Sequence, residues 1–155
     1  MMEPWKDPVS ERRRLVLWFD VHPIIDHFTV SFAASAFVLS LVVLVLPGFH
    51  PRTVRDILLG FAAALPVAVA GSFLSGLLDA RVRFRRTSTP VLNRKKVLGA
   101  ALFAFSAGAA AVVIFVGAYV EWARTADALL LAAAVAVSVS LGRLGQGLLP
   151  AIFPG

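Results

Sequence analysis

The sequence predicts an all-α membrane protein, built as a four-transmembrane-helix up-down bundle with a short N-terminal interfacial helix. Of its 155 residues, 59% are hydrophobic, and the mean hydropathy is +0.83. Four apolar runs each reach the roughly 20 residues that a helix needs to cross a hydrocarbon core. The connections between these runs are short, so consecutive helices must run antiparallel, and no separate soluble domain fits between them.

The N-terminal segment, residues 1–21, is expected to lie at the membrane interface. Asp7 and Pro8 are typical of a helix start. A helix from there would set the basic run 12–14 beside apolar and aromatic residues, which suits an interfacial position. A tethered, frayed tail is the alternative. No small-residue cleavage site follows the first apolar run, so we expect that run to be retained as a span.

The transmembrane domain is predicted over residues 22–149, with Pro23 in the first turn of the first span. The four spans are predicted at about 24–46, 57–79, 97–120 and 128–149, and a short tail follows at 150–155. Residues 80–96 form the longest connection. The second outer connection is expected to hold Glu121, Trp122, Arg124 and Asp127.

Each span carries a stripe of small or polar residues that we expect to face the bundle interior. Small side chains let membrane helices approach closely, and hydroxyls can bond across the contact. In the first span, helical steps from His27 lead to Ser31, Ala34 and Ser35. The other stripes comprise Gly60, Ala64, Ala68, Gly71, Ser72, Ser75 and Gly76; Ala100, Ala104, Ala107, Gly108 and Ala111; and Ala136, Ser140, Arg143, Gln146 and Gly147.

The charge distribution predicts the orientation. The chain has 15 basic and 9 acidic residues, and twelve of the basic ones fall on one side of the predicted topology. The positive-inside rule therefore places both termini and the 80–96 connection in the cytoplasm of a bacterial inner membrane. The residues expected to contact anionic lipid head groups are Arg81, Arg83, Arg85, Arg86, Arg94, Lys95 and Lys96. No nucleic-acid-binding pattern accompanies this charge.

Polar residues converge at the predicted cytoplasmic boundary, where ionisable groups are costly and are functional candidates. The candidates for ligand binding or proton handling are His22, Asp26, His27, Asp79, Arg143 and Gln146. A guanidinium near carboxylates and imidazoles would form a satisfied cluster. The alternative is a purely structural role, in which Arg143 extends to the head groups.

Haem b is a common membrane use of histidine, and its geometry can be tested on the sequence. His22 and His27 are five residues apart, about 140° around a helix, so they cannot both face one iron from a regular helix. A single haem ligand at His27, or ligands shared across a homodimer, stays open, as does quinone binding. A metal site formed by His22, Asp26 and His27 also stays open, although the spacing matches no strong metal-ligand template. The sequence lacks cysteine, nucleophile motifs and phosphate loops, so no enzyme activity is expected.

The His-Pro-x-x-x-His-Phe motif formed by His22, Pro23, His27 and Phe28 resembles that of a family of small four-helix bacterial membrane proteins of uncharacterised function. The family's Gly-x-x-Asp pattern at the end of the second helix is matched by Gly76 and Asp79, and its glycine-punctuated last helix by Gly142, Gly145 and Gly147. Family members often carry a histidine after the second helix, and residues 80–96 contain none. The resemblance implies the topology and the candidate positions, and no activity.

These observations favour a non-enzymatic, integral membrane component that binds a partner or a small ligand at the cytoplasmic cluster. One alternative is a redox-associated protein that binds haem b or quinone through His27. Another is a proton or ion conductor in which Asp79 and His27 titrate. The sequence leaves open whether the protein works as a homo-oligomer or as part of a larger membrane complex.

Overall fold

The computed structural model describes residues 21–46, 48–49, 51–83, 88–117 and 120–146. The predicted interfacial helix and the predicted 150–155 tail lie outside the described residues, and Val21 is the one described residue of the predicted N-terminal segment. The regular structure of these described residues is all helix, with no strand. The helices are α1 (Val21–Val45), α2 (Pro51–Arg83), α3 (Pro90–Ala111, continued by a π-helical turn over Val112–Val116) and α4 (Glu121–Gln146).

All four helices are long and apolar enough to cross a membrane. The spans defined by length and composition are Ile24–Val45, Arg52–Leu78, Pro90–Val116 and Glu121–Leu144. Helix α1 packs against α2 and α4, and α3 packs against the same two helices. The order around the bundle is therefore the order along the chain, and short connections make neighbours antiparallel. The predicted four-helix membrane bundle is confirmed, and the protein is a multi-pass membrane protein.

Three of the helices begin earlier than predicted, at Pro51, Pro90 and Glu121 instead of about 57, 97 and 128. Proline is favoured in the first turn because the N–H groups of that turn have no acceptor within the helix, so proline loses no hydrogen bond there. Before Pro90, the hydroxyl of Thr89 caps α3 by accepting a hydrogen bond from the backbone N–H of Leu92 at 3.1 Å. Hydropathy marks the apolar stretch of a helix, whereas caps and prolines set where the helix begins.

The second connection is consequently much shorter than the predicted 80–96, because α2 continues to Arg83 and α3 begins at Pro90. Arg81 therefore lies on the last turns of α2, and Arg94, Lys95 and Lys96 lie on the first turns of α3. At the other end of α3 the chain leaves the helix through Gly117, whose φ of 86° favours glycine.

The core lies along the bundle axis and follows steps of three and four residues on every helix. The buried residues are Thr29, Ala33, Ala36 and Ser40 on α1; Val54, Leu58, Ala62, Leu65, Val69 and Ala80 on α2; Gly99, Leu102, Ser106, Ala109, Ala110 and Val113 on α3; and Ala123, Asp127, Ala128, Leu131, Ala134 and Ser138 on α4. Leu58, Leu65 and Leu131 fill the space that neighbouring alanines leave.

The predicted inward stripes are wrong for about half of the residues whose burial the structure describes. Ser31 and Ala34 of α1, Ala104 of α3, and Ala136 and Ser140 of α4 are exposed. On α2, Gly60 is exposed, and the rest of the stripe is half-buried rather than central. An alanine methyl group is as compatible with lipid as with a helix contact, so small size alone does not reveal which face packs inward.

Candidate functional site

The predicted polar residues all lie at one end of the bundle, because the up-down order brings together the start of α1 and the ends of α2 and α4. The structure gives the helix positions of His22, Asp79 and Gln146, whose side chains lie outside the described part. It describes the side chains of Asp26, His27 and Arg143. We refer to this end as the α1 N-terminal end.

Asp26 is held by the neighbouring helix. It is half-buried, and the hydroxyl of Ser72 on α2 donates a hydrogen bond to its Oδ1. The hydroxyl of Ser75 in turn donates to the backbone carbonyl of Ser72 at 2.9 Å. The bond from Ser72 therefore ties the Asp26 carboxylate to α2.

Thr29 makes a second polar contact between α1 and α2. It is buried, and its hydroxyl lies 3.0 Å from the carbonyl oxygen of Ile25 and 3.2 Å from that of Ala68 on α2. Sequence reasoning missed this contact, because the predicted stripe ran through Ser31 instead. Hydroxyl-to-carbonyl bonds between membrane helices hold two helices in register.

His27 and Arg143 lie on the outside of the bundle. Both side chains are exposed, although the sequence suggested that they would pack with Asp26 in one cluster. His27 follows Asp26 directly, so the helix turns its side chain by about 100° away from that carboxylate. The described side chains of the predicted site thus divide into an anchored carboxylate and two outward-facing basic groups.

A different buried polar contact joins α1 to α4 in the opposite half of the bundle. The hydroxyl of Ser40 donates a hydrogen bond of 2.6 Å to Oδ2 of Asp127, and both residues are almost completely buried. The sequence placed Asp127 in the outer connection, because the fourth apolar run begins only after it. The spacing Ala123, Asp127, Leu131 was the available signal, since it puts the carboxylate on the packed face of a helix.

The described residues limit the chemistry that this end can support. Within the described part of the chain, no group of three or more His, Cys, Asp and Glu side chains could hold a metal ion. His27 is the one histidine whose side chain is described, and it is exposed at the edge of the bundle rather than facing an interior pocket. The exposed His27 and Arg143 side chains can bind a ligand or a partner through hydrogen bonds, and Arg143 adds a positive charge.

No family model, curated protein or solved structure matches this chain. The resemblance carried by the motif from His22 to Phe28 therefore stays a prediction.

Proposed function

We propose that the protein is a small, non-enzymatic component of a bacterial inner membrane that binds an acidic partner at its α1 N-terminal end, on the cytoplasmic side. The exposure of His27 and Arg143 carries this proposal. Both groups face outward from neighbouring helices, since α1 packs against α4. A partner that presents carboxylates could bond to both.

The same end carries the basic residues that the positive-inside rule uses to set orientation. Arg81 at the end of α2 and Arg94 at the start of α3 are both exposed. Positive side chains next to a span attract anionic lipid head groups, at about 1 kcal/mol each near the membrane surface. Lipid contact would hold this end of the bundle at the cytoplasmic surface, where a soluble or membrane-bound partner can reach it.

In this function Asp26 holds α1 in place and does not itself contact the partner. Its hydrogen bond with Ser72 joins the first turns of α1 to α2. This bond restrains the helix turn that carries His27. A binding group on a restrained turn loses less conformational entropy when it meets its partner.

Site-specific photo-cross-linking in living cells tests the proposal. A photoreactive residue at position 24 should yield one discrete protein adduct, because Ile24 is 56% exposed and lies one helical turn before His27, which stays in place. Position 115 is the control: Phe115 is accessible, at 84% exposed, but it lies on the surface of a span in the other half of the bundle. The same photoreactive residue there should yield no protein adduct. Arg143→Glu should reduce the adduct at position 24, since it reverses the charge that attracts an acidic partner. Identical adduct patterns at both positions would reject partner binding at this end.

An absorption spectrum of the purified protein separates this function from the redox alternative. A near-stoichiometric Soret band that is lost in His27→Ala would replace the partner with haem b. The control is His50→Ala, which changes a histidine on the opposite side of the predicted topology. A spectrum with aromatic absorption alone is the expected result.

A further inference from the structure

The Ser40–Asp127 contact is independent of the α1 N-terminal end and has a feature that helix packing does not explain. Asp127 is 3% exposed. Its Oδ2 accepts the 2.6 Å hydrogen bond from Ser40, but its Oδ1 is buried with no hydrogen-bond partner among the described residues. A buried polar atom without a partner is rare in folded proteins and calls for an explanation.

The described surroundings of Asp127 contain little positive charge. The helices packed against α4 are α1 and α3, and their halves beside Asp127, residues 30–46 and 100–117, contain no ionisable side chain. Helix α2 brings Arg52, Arg55 and Asp56 to this end, but it lies diagonally across the bundle from α4.

Helix α4 itself contributes Glu121 and Arg124. The Nε atom of Arg124 is also buried without a hydrogen-bond partner in the described part, so it does not bond the free oxygen of Asp127. One neutral hydroxyl is a poor substitute for the water that an ionised carboxylate would lose. A neutral carboxyl group avoids this cost.

We propose that Asp127 is a proton-binding site inside the membrane-spanning bundle. The carboxyl group carries the proton on Oδ1, and Oδ2 keeps the hydrogen bond from Ser40. Asp127 lies six residues after the start of α4, about 9 Å along the helix. The end of the bundle at which α4 begins is therefore the nearer one for proton exchange with water. A proton needs no cavity, and this fits a contact in which both side chains are fully packed.

Infrared spectroscopy of the protein in lipid vesicles tests this proposal directly. The wild-type spectrum at neutral pH should contain the carbonyl stretch of a protonated carboxyl group, and this band should be lost in Asp127→Asn. Asparagine retains a carbonyl oxygen that can accept from Ser40, so this variant should fold. The matched control is Asp56→Asn, which removes an exposed carboxylate from the same end of the bundle and should leave the band unchanged.

Ser40→Ala tests the frequency of the carboxyl band, which a role in helix packing alone would leave unchanged. Loss of the hydrogen bond to Oδ2 should shift the carboxyl band to higher frequency without removing it. Arg124→Gln should leave the band in place. The proposal is overturned if the difference between wild type and Asp127→Asn shows carboxylate stretches at neutral pH, as an ion pair with Arg124 would produce. It is also overturned if sodium ions abolish the band, since the site would then bind a metal cation.

Discussion

Replacing Gly99 by alanine measures how closely α2 and α3 approach. A Cβ atom at this position would lie 2.8 Å from Cδ2 and 3.1 Å from Cε2 of Phe73. Carbon atoms in favourable contact are about 3.5–4.0 Å apart, so the ring or a helix must move by roughly 0.7 Å or more. Overpacking of this kind costs about 1–3 kcal/mol. The higher helix propensity of alanine offsets up to about 1 kcal/mol of that cost.

Gly60→Ala is the matched control, because a Cβ atom there would have no neighbour within 4 Å. The propensity gain is common to both variants, so the difference between them isolates the overpacking. We expect Gly99→Ala to be about 1–3 kcal/mol less stable than Gly60→Ala, measured by unfolding in mixed detergent micelles. Adding Phe73→Leu should recover part of the loss, as coupled neighbours do. Equal stability of the two alanine variants would refute the close contact between Gly99 and Phe73.

Three further predictions use the same unfolding assay. Ser40→Ala should cost about 1–3 kcal/mol, because it removes the hydrogen bond that the described residues give to the buried carboxyl group of Asp127; a loss below a few tenths of a kcal/mol would contradict that bond. Leu131→Ala should cost about 2 kcal/mol, which is the low end of the range for buried leucines. The cost is low because lipid or detergent solvates the leucine side chain in the unfolded state, so that only the loss of packing remains. Leu129→Ala, at a 66% exposed position, should be nearly neutral, and similar losses in both leucine variants would contradict the assigned packed face. Arg143→Leu should change stability by less than about 0.5 kcal/mol because its side chain is exposed; a large loss would indicate a buried guanidinium.

The candidate site was predicted in part. The sequence brought the start of α1 and the ends of α2 and α4 to one end of the bundle, because apolar runs and short connections determine direction. It did not predict which polar groups meet. Asp26 pairs with Ser72, whereas His27 and Arg143 face outward. Pairing depends on the rotation of each helix about its own axis.

That rotation was the main error in the sequence prediction. Small residues occur all around these helices, and both lipid and a neighbouring helix accept an alanine. Ser31 and Ala34 were therefore assigned to the interior, whereas Thr29 and Ala33 occupy it. In a soluble protein, polar residues would have marked the outer face, but lipid removes that contrast.

Hydropathy and the lengths of the connections are enough to predict that the chain crosses a membrane four times as an antiparallel bundle. A helix can cross hydrocarbon because its backbone hydrogen bonds are formed within the helix. Each of the four apolar runs is long enough for one crossing, so the predicted architecture is a four-helix bundle. The position of Asp127, inside the bundle and bonded to Ser40 rather than in a connection, could not be predicted from hydropathy and comes from the packing of the helices. The burial of one carboxylate depends on where α4 begins and which face it turns to α1, and both are set by packing between helices rather than by hydropathy along one.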